Sequence, residues 1–471
     1  MPAGRKPHYR ALTRIALFVV AVLSSTAGTN AQDESPIAQI ESAIQQIVER
    51  TSPSVVAIVR GRTSENESSE FTAYEYGTGV AIDEQGFVLT NFHLIGDPAE
   101  DEFGVWHDRR FYPAKVLAAD PWTDLAVLQV DGAKFASIEI ETVELNSNAP
   151  NVRPGQVVVT LGNPYQIART GQVASAWGTT NGASRLLITQ DGGTVFKYGG
   201  LIQTDARLRL SSSGGPLLNL DGKMVGIVTS IKAFEGFEAQ SSCAIAMTKD
   251  IRRVIDELKS GHEPEFGFLG IDPEPNAVAI ADENTIGVKI NQVLPKTPAQ
   301  SAGLLAGDIV TRMDGVSLTS VEDFLFRLGT SAAGSTITVS VQRMDPILRR
   351  TREFQRQCVL TKRFVAHQRA AYSTAEKFKW RGMQVDYFSA VRDRSELLVG
   401  PPQPCVRVTS VDKDSAAWMA GVRASDLVAE LNSQPTADPA TFENIAMNAT
   451  GDAALRIVDR GEVIIAGSAA H

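Results

Sequence analysis

The chain has 471 residues, with 45 Lys and Arg against 54 Asp and Glu, a net charge of −9 and a pI near 5.4. That length suggests roughly three domains, and 43% hydrophobic with 21% charged residues excludes collagen-like, low-complexity and wholly disordered chains. The acidic balance argues against nucleic acid or anionic lipid as a partner. The three cysteines, Cys243, Cys358 and Cys405, and the singly scattered histidines make neither a disulfide framework nor a local zinc motif, so no metal and no cofactor is expected.

Arg5, Lys6, Arg10 and Arg14 precede an apolar run at 15–23, which is followed by small residues and a Thr29-Asn30-Ala31 step. This is the layout of an export signal over 1–31, cleaved to leave a chain starting near Gln32. The apolar run is well short of the ~20 residues a membrane span needs. An uncleaved anchor is the alternative.

Ser35-Pro36 is a good helix start, and Ile37, Ile40, Ile44 and Ile47 recur at helical spacing, which predicts a helix ending before Pro53. Short apolar runs follow at 54–59, 79–82, 88–90, 124–130, 156–161 and 224–229, separated by Gly, Pro, Asn and Asp. They read as an all-β barrel or sandwich. Ile251, Val254, Ile255 and Leu258 mark a helix over 249–259, closed by Gly261 and Pro264.

The remainder repeats itself at an offset of 118. Val288 maps to Val406, Ala302-Gly303 to Ala420-Gly421, Asp308 to Asp426, Asp314 to Asn432 and Phe324 to Phe442. Two copies of one small domain are expected, joined by a connector rich in Lys, Arg and Ala at 362–379.

Three segments carry chemistry: Leu89-Thr90-Asn91-Phe92-His93, Asp120-Pro121-Trp122-Thr123-Asp124-Leu125, and Ser211-Ser212-Ser213-Gly214-Gly215-Pro216. A serine hydroxyl is a weak nucleophile until an imidazole takes its proton, and a carboxylate must fix that imidazole's tautomer. The order His, Asp, Ser is that of chymotrypsin rather than subtilisin or the α/β-hydrolases. Gly-Gly-Pro after a serine suits a tight turn whose amides converge on a carbonyl oxygen.

These segments, with Gly77-Thr78-Gly79-Val80, Val159-Thr160-Leu161-Gly162-Asn163-Pro164, Gln203-Thr204-Asp205-Ala206 and Asn219-Leu220-Asp221-Gly222, resemble the HtrA/Deg family of exported, ATP-independent serine proteases. The resemblance implies a mainly β fold, a chymotrypsin-like double β-barrel at 35–260 followed by two PDZ-like α+β domains at 265–362 and 376–466. It implies His93 as general base, Asp124 as its orienting carboxylate and Ser213 as nucleophile, with the amides of Ser213 and Ser211 forming an oxyanion hole. It further implies unfolded polypeptides and C-terminal peptides as partners, a trimeric homo-oligomer, and a periplasmic or secreted location in protein quality control.

The sequence departs from the family at Ser211-Ser212, where Gly-Asn is usual. A positive φ imposed on an L-residue there would cost about 1–2 kcal/mol. Strain that weakens the protease and simple tolerance of serine both stay open, and with the first comes the alternative of a chaperone or peptide-binding scaffold. The resemblance builds the specificity pocket from 241–246, including Cys243 and Ala244, with no Asp to demand a basic side chain, so small or medium aliphatic residues are expected before the scissile bond. In the first PDZ-like domain Phe268, Leu269, Gly270 and Ile271 resemble the carboxylate-binding loop, a strand-addition mode of peptide capture. Gly382-Met383-Gln384-Val385 is the expected counterpart, with Gln384 in place of the glycine.

Overall fold

The structure is a computed structural model that describes residues 35–467 apart from 64–70, 133, 146–150, 164–172, 192–193, 207–211, 230–241, 281–284, 346, 348–349, 367–368, 394 and 400–403. The expected export signal at 1–31 lies outside the described residues. Helix α1 (Pro36–Thr51) starts at the Ser35-Pro36 pair and stops before Pro53, as the spacing predicts.

Six antiparallel strands then form the first barrel: β1 (Val55–Thr63), β2 (Phe71–Ala81), β3 (Phe87–Thr90), β4 (Glu102–His107), β5 (Arg110–Asp120) and β6 (Leu125–Gln129). Their order is β5-β4-β1-β2-β3-β6, and a β5–β6 pairing closes the ring. Alternate residues of each strand share a face, which puts Val56, Ile58, Val88, Val105, Val116 and Leu128 together in the core.

The second barrel is built from β7 (Val157–Gly162), β8 (Ala174–Asp191), β9 (Thr194–Thr204), β10 (Pro216–Leu218), β11 (Met224–Thr229) and β12 (Ser242–Ala246). It closes where Leu217 of β10 pairs with Thr160 of β7. Helix α2 (Lys249–Lys259) has the predicted bounds. Its N-cap Thr248 accepts a hydrogen bond from Ile251 N at 3.3 Å, and its four apolar residues are buried.

Two PDZ-like β-rich units follow. The first has β13 (Ile271–Pro273), β14 (Thr285–Val293), β15 (Ile309–Met313), β16 (Thr336–Met344) and β17 (Thr351–Val359), paired in that order, with helix α3 (Val321–Thr330). A short strand in the connector, β18 (Tyr372–Ser373), precedes the second unit. That unit pairs β19 (Met383–Tyr387), β20 (Val406–Val411), β21 (Leu427–Leu431), β22 (Ala453–Ile457) and β23 (Gly461–Ile465), with helix α4 (Pro439–Met447). The offset of 118 is visible in the registers, since Val288 pairs with Val310 and Val406 with Val428. Phe324 and Phe442 occupy equivalent core positions.

The connector is not a plain linker. Tyr372 and Ser373 pair with Ala119 and Ala118, so β18 extends the sheet of the first barrel beside β5. No local periodicity marks a two-residue strand of this kind, and its partner lies some 250 residues away in sequence. Among the described residues no helix is long and apolar enough to cross a membrane.

Candidate active site

β3 ends at Thr90, and a single 3-10 turn (Phe92–Leu94) carries His93 out of the first barrel. The turn between β5 and β6 brings Asp124 against it. Phe92 N and Asn91 Nδ2 each donate to the Asp124 backbone carbonyl at 3.0 Å, locking the two segments together.

The Asp124 side chain is buried and densely bonded. His93 Nδ1 lies 2.9 Å from Oδ2 and 3.0 Å from Oδ1, His93 N donates to Oδ1 at 3.0 Å, and Thr229 Oγ1 donates to Oδ2 at 2.7 Å. Burial pushes this carboxyl up, but the His93 charge and the bonds from His93 and Thr229 outweigh it and hold it below the usual carboxylate range. Asp124 has φ +57°, a left-handed conformation that Asp tolerates better than most L-residues. With a carboxylate accepting at Nδ1, the neutral imidazole carries its proton there and Nε2 is the basic nitrogen.

Ser213 sits in the turn before β10, buried against the first barrel. Thr78 N of β2 donates to Ser213 O at 3.0 Å, and Thr90 Oγ1 of β3 donates to Thr78 O at 2.7 Å. Within the turn, Gly214 N donates to Val228 O at 2.9 Å and Gly215 N to Ser212 O at 3.0 Å. Gly214 has φ +85°, and a Cβ there would lie 1.9 Å from Thr78 O. Glycine is therefore required on two counts, conformation and space. The serine turn is pinned to the strands that lead to His93, at the junction of the two barrels.

The structure thus describes His93, Asp124 and Ser213, and it adds residues that sequence reasoning missed. Thr78, Thr90 and Asn91 lie within the segments already singled out. Thr229 has no signal beyond its position at the end of the apolar run 224–229. Ser211 and Ser241 lie outside the described residues. Cys243, half-buried, and Ala244, buried, are on β12 and pair with Thr229 and Val228 of β11. Burial pushes the thiols of Cys358 and Cys405 up to about 11.

In the first PDZ-like unit Leu269 is wholly buried, Gly270 has φ +84°, and half-buried Ile271 opens β13. Phe268 is buried against Leu294, Phe388, Val391 and Leu397, so residues beyond the unit cover this end of the loop. The counterpart in the second unit differs from the expected one. Gly382, with φ +85°, occupies the place of Gly270: a Cβ at either would lie 2.2 Å from the Cβ of the following helix cap, Ser415 or Thr297. Leu294 N donates to Gly270 O and Asp412 N to Gly382 O, an equivalent pair of bonds. The loop is therefore Trp380-Arg381-Gly382-Met383, and Gln384 replaces no glycine. A length difference between the two units ahead of their second strands hides this equivalence from a constant offset.

Comparison with known proteins agrees with the geometry. Residues 77–227 match the family described as Trypsin-like peptidase domain, and 267–349 match PDZ domain. A probable periplasmic serine endoprotease DegP-like of Chlamydia muridarum is 27% identical over 392 residues, 82% of this chain and 73% of the relative. The periplasmic serine endoprotease DegP of Escherichia coli K12 is 28% identical over 378 residues, 71% of this chain and 77% of the relative. A solved structure, the HtrA-type protease AlgW with tripeptide, covers 69% of this chain and 98% of its own at 23% identity, with a TM-score of 0.50, and shares the fold. The chain carries a trypsin-like peptidase domain followed by a PDZ domain and has periplasmic DegP serine endoproteases as homologues.

Proposed function

We propose that this protein is an exported, ATP-independent serine endopeptidase that cleaves unfolded or damaged polypeptides, with PDZ-like peptide capture. The observation that carries it is the His93–Asp124 pair at 2.9 Å, joined through Thr90 and Thr78 to the Ser213 turn. In this reading Ser213 Oγ attacks the scissile carbonyl while His93 Nε2 takes its proton, and Asp124 stabilises the imidazolium. The amides of Ser213 and Ser211 receive the oxyanion. His93 then returns the proton to the leaving amine, and water resolves the acyl-enzyme by the same route in reverse.

The proposed domains are the protease at 35–260, a first PDZ-like reader at 265–362 and a second at 376–466. Segment 1–31 directs export to a periplasmic or secreted location and is then removed, and the assembly is a homotrimer. The names of the relatives, periplasmic serine endoproteases, support this reading over a chaperone or scaffold. Digestion of a permanently unfolded casein without ATP, compared between wild type and Ser213→Ala, tests it. Cleavage is expected only from the wild type, and equal behaviour of the two would refute it.

A further inference from the structure

The segment that presents Asp124 is held from two sides. From the barrel side, the Asp120 carboxylate accepts from Thr123 N at 2.8 Å, Thr123 Oγ1 at 2.5 Å and Trp122 N at 3.2 Å, which makes 120–124 one rigid turn. From the other side, the Trp122 indole leaves the barrel and meets the first PDZ-like unit. Its Nε1 donates to the backbone carbonyl of Gly329, in the last turn of α3, at 2.9 Å. Its ring lies 6.3 Å from that of Phe266, and the Arg363 guanidinium stands 5.1 Å over it.

The fit around the indole is close. The three atoms nearest a Cβ built on Gly329 all belong to Trp122, the first at 3.3 Å, so a side chain placed there would press on the ring. The contact is reinforced by Arg253 of α2, which donates to Thr330 O at 2.8 Å. Trp122 is two residues from Asp124, a span of at most about 7 Å between Cα atoms. A shift of the indole is therefore transmitted to a residue whose φ of +57° and four hydrogen bonds to its side chain set the orientation of His93.

We propose that Trp122 is a positioning residue for the catalytic pair, coupling the α3 helix of the first PDZ-like unit to the Asp124 turn. The inference rests on the proposed proteolysis, so Ser213-dependent turnover of the wild type is established first. If that turnover is missing, the proteolysis reading fails, and the coupling is not what has been refuted. The Trp122 indole is engaged by Gly329, Phe266 and Arg363 and reaches the site only through the Asp124 turn, so its effect is expected on kcat and not on KM. A misorientation of this kind costs about tenfold in kcat, less than the ~100-fold of a 1 Å misplacement.

The test uses the full chain and an internally quenched peptide substrate, with thermal melting to verify folding. Trp122→Ala is expected to lower kcat about tenfold with KM within about twofold of wild type. Gly329→Leu, made wholly on the PDZ side, is expected to displace the indole and lower kcat in the same way. The double variant, in which the leucine has room, is expected to match Trp122→Ala alone. An unchanged kcat in either single variant, a loss confined to KM, or a double loss equal to the product of the two single losses would overturn the proposal. Should Gly329→Leu fail to fold, the division between kcat and KM in Trp122→Ala decides alone.

Discussion

Thr229 Oγ1 donates to Asp124 Oδ2 at 2.7 Å, and this bond joins the second barrel to the carboxylate that is hydrogen-bonded to His93 on the first. A hydrogen bond to a charged group contributes about 1.5–3 kcal/mol. Thr229→Val keeps the shape and removes the donor. It is expected to lower kcat about 10- to 100-fold with little change in KM, if that free energy acts in the transition state. Steady-state kinetics on a peptide substrate checks this, and a variant as active as wild type would show the bond to be ornamental.

Asp120 provides a pH signature. Burial, followed by the opposing hydrogen bonds from Thr123 and Trp122, raises its carboxyl to about 7. Because the folded value lies above the unfolded one, the folded state binds the extra proton between about pH 4 and 7. Stability from this group is complete below that window and is lost as pH rises through it, by at most about 1.4 kcal/mol per pH unit. Asp120→Asn has no such slope. The stability advantage of wild type over this variant is therefore expected to shrink from pH 5 to pH 8 in denaturant melts, and a constant or growing gap would contradict it.

Arg369 of the connector reaches the His93 turn. It donates to the Ile95 carbonyl, to Gly96 O at 3.2 Å and to Phe92 O at 3.4 Å, and its guanidinium lies 4.6 Å over the Phe92 ring. Arg369→Ala removes these restraints on the loop that follows β3. Faster amide exchange across 92–96 is expected, with kcat lowered by about 3- to 10-fold. Unchanged exchange there would show that the connector passes over the site without bracing it.

Lys362 bridges the two PDZ-like units, with Nζ 2.7 Å from both Glu265 Oε1 and Asp386 Oδ2 and its side chain only 12% exposed. Burial lowers its pKa, but the two carboxylates outweigh that and raise it overall. Lys362→Met leaves two carboxylates facing each other without their cation, a repulsion that solvent relieves only in part because Glu265 is 47% exposed and Asp386 20%. Faster proteolytic nicking within 363–380 than in wild type is expected, and equal rates would argue that other contacts hold the units.

Much of this was legible in the sequence because it is local. The α2 bounds follow from four apolar residues at helical spacing with Gly261 and Pro264 behind them, and the His, Asp and Ser segments are contiguous motifs. The 118-residue offset likewise appears in the sheet registers. The rest depends on residues distant in sequence. Neither Thr229 on Asp124, Tyr372 beside Ala119, nor Trp122 on Gly329 has a local signature, since each becomes a neighbour only when separate elements close on one another. The Gly382 equivalence escaped for another reason, a length difference that breaks the constant offset. The Ser211 question stands as the sequence left it, because 207–211 lie outside the described residues.

The central claim is Ser213-dependent peptide-bond hydrolysis in unfolded chains. The most direct measurement is mass-spectrometric mapping of new N-termini released from a reduced, unfolded protein without ATP, run side by side with wild type and Ser213→Ala. The account predicts internal cleavages after small or medium aliphatic residues by the wild type and none by the variant. The same cleavages from Ser213→Ala, or none from either protein, would contradict it.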